Sequence, residues 1–86
     1  MYIHLGNKTV INSKEIIGIF DLDTATVSKR TRDFLSKNEK MENIINVSYE
    51  IPLSFIVCRD KEKNTKIYFS PVSSTTLNKR AEENFK

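Results

Sequence analysis

In 86 residues there is one histidine, one cysteine, two glycines, two prolines and no tryptophan. Each shortage closes off a chemistry. Cys58 has no second cysteine with which to form an intrachain disulfide. A nucleophilic cysteine needs a basic partner and access. Cys58, set between Val57 and Arg59 in an apolar run, reads instead as a plain buried cysteine. His4 without a nearby cysteine builds no zinc site within one chain, and it reads as a surface or interface histidine. Two glycines, Gly6 and Gly18, exclude a glycine-rich phosphate loop. Asp21 and Asp23 form a close carboxylate pair, but a calcium loop needs more oxygen ligands and a glycine at set spacing. They read as a strand end and a helix cap. Serines are plentiful, yet no nucleophile motif surrounds them. With no base, nucleophile or metal set in view, the expectation is a protein that is not an enzyme, with no cofactor, no metal and no small-molecule substrate.

Long apolar runs are missing too. The longest, residues 16–20, is interrupted by Gly18, so no membrane span is expected. The opening residues lack the basic stretch and apolar core of a signal peptide, and a cytoplasmic location is the default. The glycosylation patterns at Asn7-Lys8-Thr9 and Asn46-Val47-Ser48 then carry no meaning.

What is present is an ordinary folding composition, 38% hydrophobic and 29% charged. The length implies one domain, residues 1–86. A chain of this size buries only about 60–65% of the surface its unfolded form exposes, so its core is thin. Such chains often gain stability by pairing with copies of themselves.

Residues 2–5 and 9–11 are short β-type runs, and Gly6-Asn7 between them predicts a tight hairpin. Residues 15–20 form a third strand. Ile16, Ile17, Ile19 and Phe20 make it apolar on both faces, which requires cover on both faces. A helix over residues 25–38 follows, capped by Thr24 or Thr26, with Val27, Thr31, Phe34 and Leu35 as its buried stripe. Residues 44–49 alternate, placing Ile45, Val47 and Tyr49 on one side. Pro52 marks a turn or strand edge. Residues 53–59 and 66–70 read as a hairpin with a longer loop. Ser73 and Ser74 are good caps for a last helix over 75–84, with Leu77, Ala81 and Phe85 on one face and an exposed Lys79–Glu83 pair.

Fourteen basic and eleven acidic residues give a net charge of +3 and pI near 9.1, spread evenly along the chain. Lys29, Arg30 and Arg32 cluster on one helix, and Arg59, Lys61, Lys63 and Lys66 around one hairpin. Asp33, Asp60 and Glu62 interrupt them, as on an ordinary solvated face. Copies of such patches in a ring of identical subunits would still form a continuous basic track, because each phosphate neutralised adds affinity by counterion release.

The segments YIHLG (2–6), EIIGIFDLDTA (15–25) and YFSPVSSTTLNKR (68–80) resemble the RemA/RemB family of bacterial extracellular-matrix regulators, and most closely its RemB (YaaB-like) branch. The resemblance covers roughly residues 1–81. It implies a cytoplasmic protein of biofilm-forming bacteria. It also implies a LytTR-like subunit that assembles into a ring, and arginines on the ring surface that hold DNA in order to activate matrix genes. The chain departs from the family pattern at two places. Glu15, beside Lys14, stands where an arginine opens the third strand, and residues 50–53 (EIPL) stand where a pair of arginines precedes the penultimate strand.

The combined expectation is an α+β domain, a small, mostly antiparallel sheet with two helices, forming a ring homo-oligomer through Ile16, Ile17, Gly18, Ile19 and Phe20. Its function is DNA-binding regulation of extracellular-matrix (biofilm) gene transcription, with Lys14, Lys29, Arg30, Arg32, Arg59 and Lys61 as candidate contacts to double-stranded DNA. The alternative is an oligomeric interaction or scaffold module that regulates without touching DNA.

Overall fold

A computed structural model describes residues 2–25 and 28–84. Thr26, Val27 and Phe85, each given a role above, lie outside the described residues, as do the side chains of Ala25, Glu83 and Asn84.

Strands β1 (Tyr2–Gly6) and β2 (Thr9–Asn12) pair antiparallel in a separate hairpin. Its turn needs left-handed backbone: Gly6 has φ +117° and Asn7 φ +50°. A 3-10 turn, Ser13–Glu15, leads into β3 (Ile16–Asp21). Two helices follow, α1 (Leu22–Ala25) and α2 (Lys29–Lys40), then β4 (Ile44–Asn46), β5 (Ser54–Arg59), β6 (Thr65–Ser70) and α3 (Ser74–Asn84). The larger sheet has the order β3-β5-β6-β4 and is antiparallel except for β4 beside β6.

Every side chain of β5 except Arg59 is buried. Alternation splits them between two cores. On one face Ile56 and Cys58 join Ile3, Leu5 and Ile11 of the hairpin, Val47, and Leu77 of α3. On the other, Phe55, Val57 and Ile67 meet Leu22, Leu35, Ile44 and Phe69. The first core also holds a polar seam. Ser54 and Ser70, directly opposite each other, are fully buried. The Ser54 hydroxyl donates to the Val72 carbonyl at 2.8 Å, and the Ser70 hydroxyl donates to the Leu5 carbonyl, tying the hairpin to the sheet. At the end of α2, buried Asn38 donates to the Phe34 carbonyl (2.8 Å) and accepts from the Asn43 side chain (2.9 Å), which sets the entry into β4.

Several expectations need correction. Among the described residues there are three α-helices instead of two, since helical residues occur at Leu22–Ala25 and again from Lys29. Thr24 lies within α1, which Asp21 caps by accepting the backbone N–H groups of Asp23 (2.8 Å) and Thr24 (3.3 Å), and the N-cap of α2 is Ser28, which makes no side-chain cap hydrogen bond. The strand expected over residues 44–49 stops at Asn46, so the alternation fails beyond it and Tyr49 points into solvent. The last helix agrees closely, and Ser73 is its cap, accepting from the Thr76 N–H at 3.2 Å.

Candidate functional site

β3 forms one edge of the larger sheet, where among the described residues it is hydrogen-bonded to β5 on one side only. A register shift between Ile16 and Gly18 changes how its side chains divide. Ile16 and Ile19 pack against the hairpin-side core. Ile17 and Phe20 fall on the α2 face and stay exposed, at 59% and 42%. Gly18 lies under the Phe20 ring, where a Cβ would sit 2.7 Å from ring carbons. The ring in turn stacks on Phe55 with centroids 5.1 Å apart. Phe34 of α2, 40% exposed, closes the far side of a hollow that Thr31 and Val57 also line. The five interface candidates thus separate into two that anchor the edge strand, two that face outward, and a glycine that lets Phe20 fold back.

The basic candidates fall into two groups. Lys14, Arg59 and Lys61 gather at one end of the sheet, because Ile16 pairs with Cys58 and the β5–β6 turn follows directly. All three are exposed. The turn beneath them is rigid: one Asp60 carboxylate oxygen accepts the Glu62 and Asn64 N–H groups, each at 2.9 Å. Those bonds, the Asn64 N–H first, hold the Asp60 carboxyl below its usual range. Lys29, Arg30 and Arg32 open α2, beyond the other end of β3, and the first turn of that helix contains no acidic residue. Cations at a helix N-terminus oppose the helix dipole, a local cost of about 0.3–1 kcal/mol each at low salt. A tolerated cost of this kind is what an acidic partner would relieve.

Glu15 is half-buried at the Lys14 end. Its charge adds to the burial that pushes the Cys58 thiol up to about 12, against a smaller opposing pull from Lys66. Burial, with Cys58 and Glu15 adding to it, also raises Tyr68. Cys58 is therefore a protonated core thiol. Among the described residues, no group of three or more His, Cys, Asp or Glu side chains is placed to hold a metal ion. None of the described helices is long and apolar enough to cross a membrane.

Two features escaped the sequence reading. Arg80 of α3 donates through Nη1 to the His4 carbonyl at 2.7 Å, a tie between residues 76 positions apart that no local pattern announces. The second is the segment 49–53, where Tyr49, Ile51 and Leu53 are all exposed apolar side chains. Pro52 was the available signal, since it ends the alternation that had placed Tyr49 inward.

Two comparisons with known proteins give matches over most of the chain. The family model for RemA-like, extracellular matrix regulatory protein A-like, matches residues 2–81. The chain is also 38% identical over 82 residues to extracellular matrix regulatory protein B of Bacillus subtilis (strain 168), covering 95% of this chain and 91% of that protein.

Proposed function

The chain belongs to the RemA-like family of extracellular matrix regulatory proteins, on its RemB branch, and from that premise we propose that it is a homo-oligomeric, cytoplasmic, DNA-binding regulator of matrix (biofilm) gene expression. The observation that carries this reading is the β3 edge: exposed Ile17 and Phe20 on an unextended edge strand, with Lys14, Arg59 and Lys61 at its end. An apolar edge strand is a template for association. Three cations bind DNA weakly, but repeated on each subunit of a ring they form a track. Each phosphate neutralised contributes about −0.9 to the slope of log K against log salt. Anisotropy titration of a matrix-gene promoter fragment across a salt series tests the reading. Steep weakening with salt, and lower affinity after Arg59→Ala, are expected. Negligible affinity for promoter and scrambled DNA alike at low salt would remove DNA binding.

A second reading is favoured by one observation. Residues 50–53, where the resemblance implies paired arginines, present Ile51 and Leu53 to solvent. On this reading the oligomer regulates by holding another protein. Retention on heparin speaks for DNA. A co-purifying protein, with no heparin retention, speaks for the alternative.

A further inference from the structure

Two of the exposed apolar surfaces among the described residues differ in shape and lie toward opposite edges of the larger sheet. The first is the hollow beside β3, lined by Ile17, Phe20, Thr31, Phe34, Phe55 and Val57. Its volume, about 250 Å³, falls below the ~300–1,000 Å³ of typical small-molecule sites, so side chains of another protein suit it better than a metabolite. On the α2 lip, Arg30 and Lys37 stand four residues before and three after Phe34, hence on the same side of the helix. The second surface protrudes. The chain leaves β4, the opposite edge strand, and presents Tyr49 wholly to solvent and Ile51 at 85% exposure, with exposed Glu50 between them.

We propose that these surfaces are the two halves of one interface between copies of this chain: Tyr49 and Ile51 of one copy seat in the β3 hollow of the next, and Glu50 meets Arg30 and Lys37 on its lip. Charge complementarity picks the occupant. The protruding segment carries Glu50, whereas the lip carries Arg30 and Lys37 against one acid, Asp33, three residues from the first and four from the second, and the first turn of α2 supplies no acid of its own. The segment is irregular rather than strand, and the outer side of β3 carries no neighbouring strand among the described residues, so backbone pairing can add to the side-chain packing up to Pro52. Because the halves differ and lie toward opposite edges, the interface runs one way from copy to copy. Closure then gives a ring, and failure to close gives a filament.

The inference rests on the oligomer reading above, and light scattering separates the two. Ile51→Glu spoils the protruding half and Ile17→Glu the hollow. Both sites are exposed, so thermal melts should match wild type, and each variant alone should run as a monomer where wild type is oligomeric. Mixed in equal amounts they should form a dimer and nothing larger, since only one sound pair of halves remains. Glu50→Arg should raise the dissociation concentration about tenfold, and Arg30→Glu should recover part of that loss. Should Ile51→Glu misfold, Tyr49→Asp reads the same half. An Ile51→Glu variant as large as wild type, or a mixture that stays monomeric, would overturn the proposal while leaving the oligomer reading intact. A wild type monomeric at micromolar concentration would remove both.

Discussion

The cysteine that has no intrachain partner is also shielded from reagents in the folded protein. Cys58 is buried among Ile3, Leu5 and Ile56, and burial with Glu15 nearby pushes its thiol to about 12. Near pH 8 almost none of it is thiolate in the folded state, whereas an unfolded thiol titrates near 8.5. A thiol reagent should therefore label it slowly in buffer and rapidly in denaturant. Fast labelling of the folded protein would contradict this burial. Asp60 moves the opposite way. Its native carboxyl is held below the ordinary range by backbone N–H groups of its own turn. Its contribution is thus complete above the unfolded carboxyl value and is lost as pH falls through the lower native one. Asp60→Ala should unfold at lower urea than wild type at neutral pH, and the gap should close in strong acid. A gap independent of pH would point to the turn backbone rather than the charge. Arg80→Ala, which removes the hydrogen bond to the His4 carbonyl, should cost about 0.5–1.5 kcal/mol by urea unfolding.

Among the elements, β3 depends most on its glycine. Gly18 has ordinary extended backbone, so the reason for it is space: the Phe20 ring occupies the position a Cβ would take. Gly18→Ala must displace that ring and break its stack on Phe55. A loss of about 1–3 kcal/mol is expected in thermal or chemical unfolding, and an unchanged midpoint would show that the ring swings away freely. Strands were legible where alternation reports burial directly, as in residues 2–5. Where burial depends on partners distant in sequence, the pattern misled. Ile45, Val47 and Tyr49 alternate correctly, yet the chain leaves the sheet after Asn46 and only Val47 is buried. The start of the main helix was misplaced for a related reason: Asp21 caps a separate turn, and that competing signal is identical in sequence to the cap of one long helix. The doubly apolar character of residues 16–20 was visible, but not the register shift that sends Ile17 outward with Phe20.

At the scale of the assembly, the proposed oligomer and its proposed DNA track require the two basic groups to divide their work. Six candidates were gathered by charge alone, and the fold sets Lys14, Arg59 and Lys61 at one end of the sheet and the α2 group beyond the other end of β3. If Arg30 lies against Glu50 of the next copy, it is not free to meet phosphate, and the DNA track falls to the first group. The two groups then have different signatures. Arg59→Ala should leave the mass of the oligomer unchanged and flatten the salt dependence of DNA binding, by about 0.9 in slope for each phosphate that is no longer neutralised. Arg30→Ala should act first on assembly. It should raise the concentration at which the oligomer dissociates, and DNA affinity should fall only where the oligomer falls apart, because a dispersed subunit offers three cations instead of a track. Light scattering and anisotropy on the same samples, over one dilution series, read both quantities together. If Arg30→Ala weakened DNA binding by a fully assembled oligomer as strongly as Arg59→Ala does, the division would be wrong, and both ends of the subunit would face the nucleic acid.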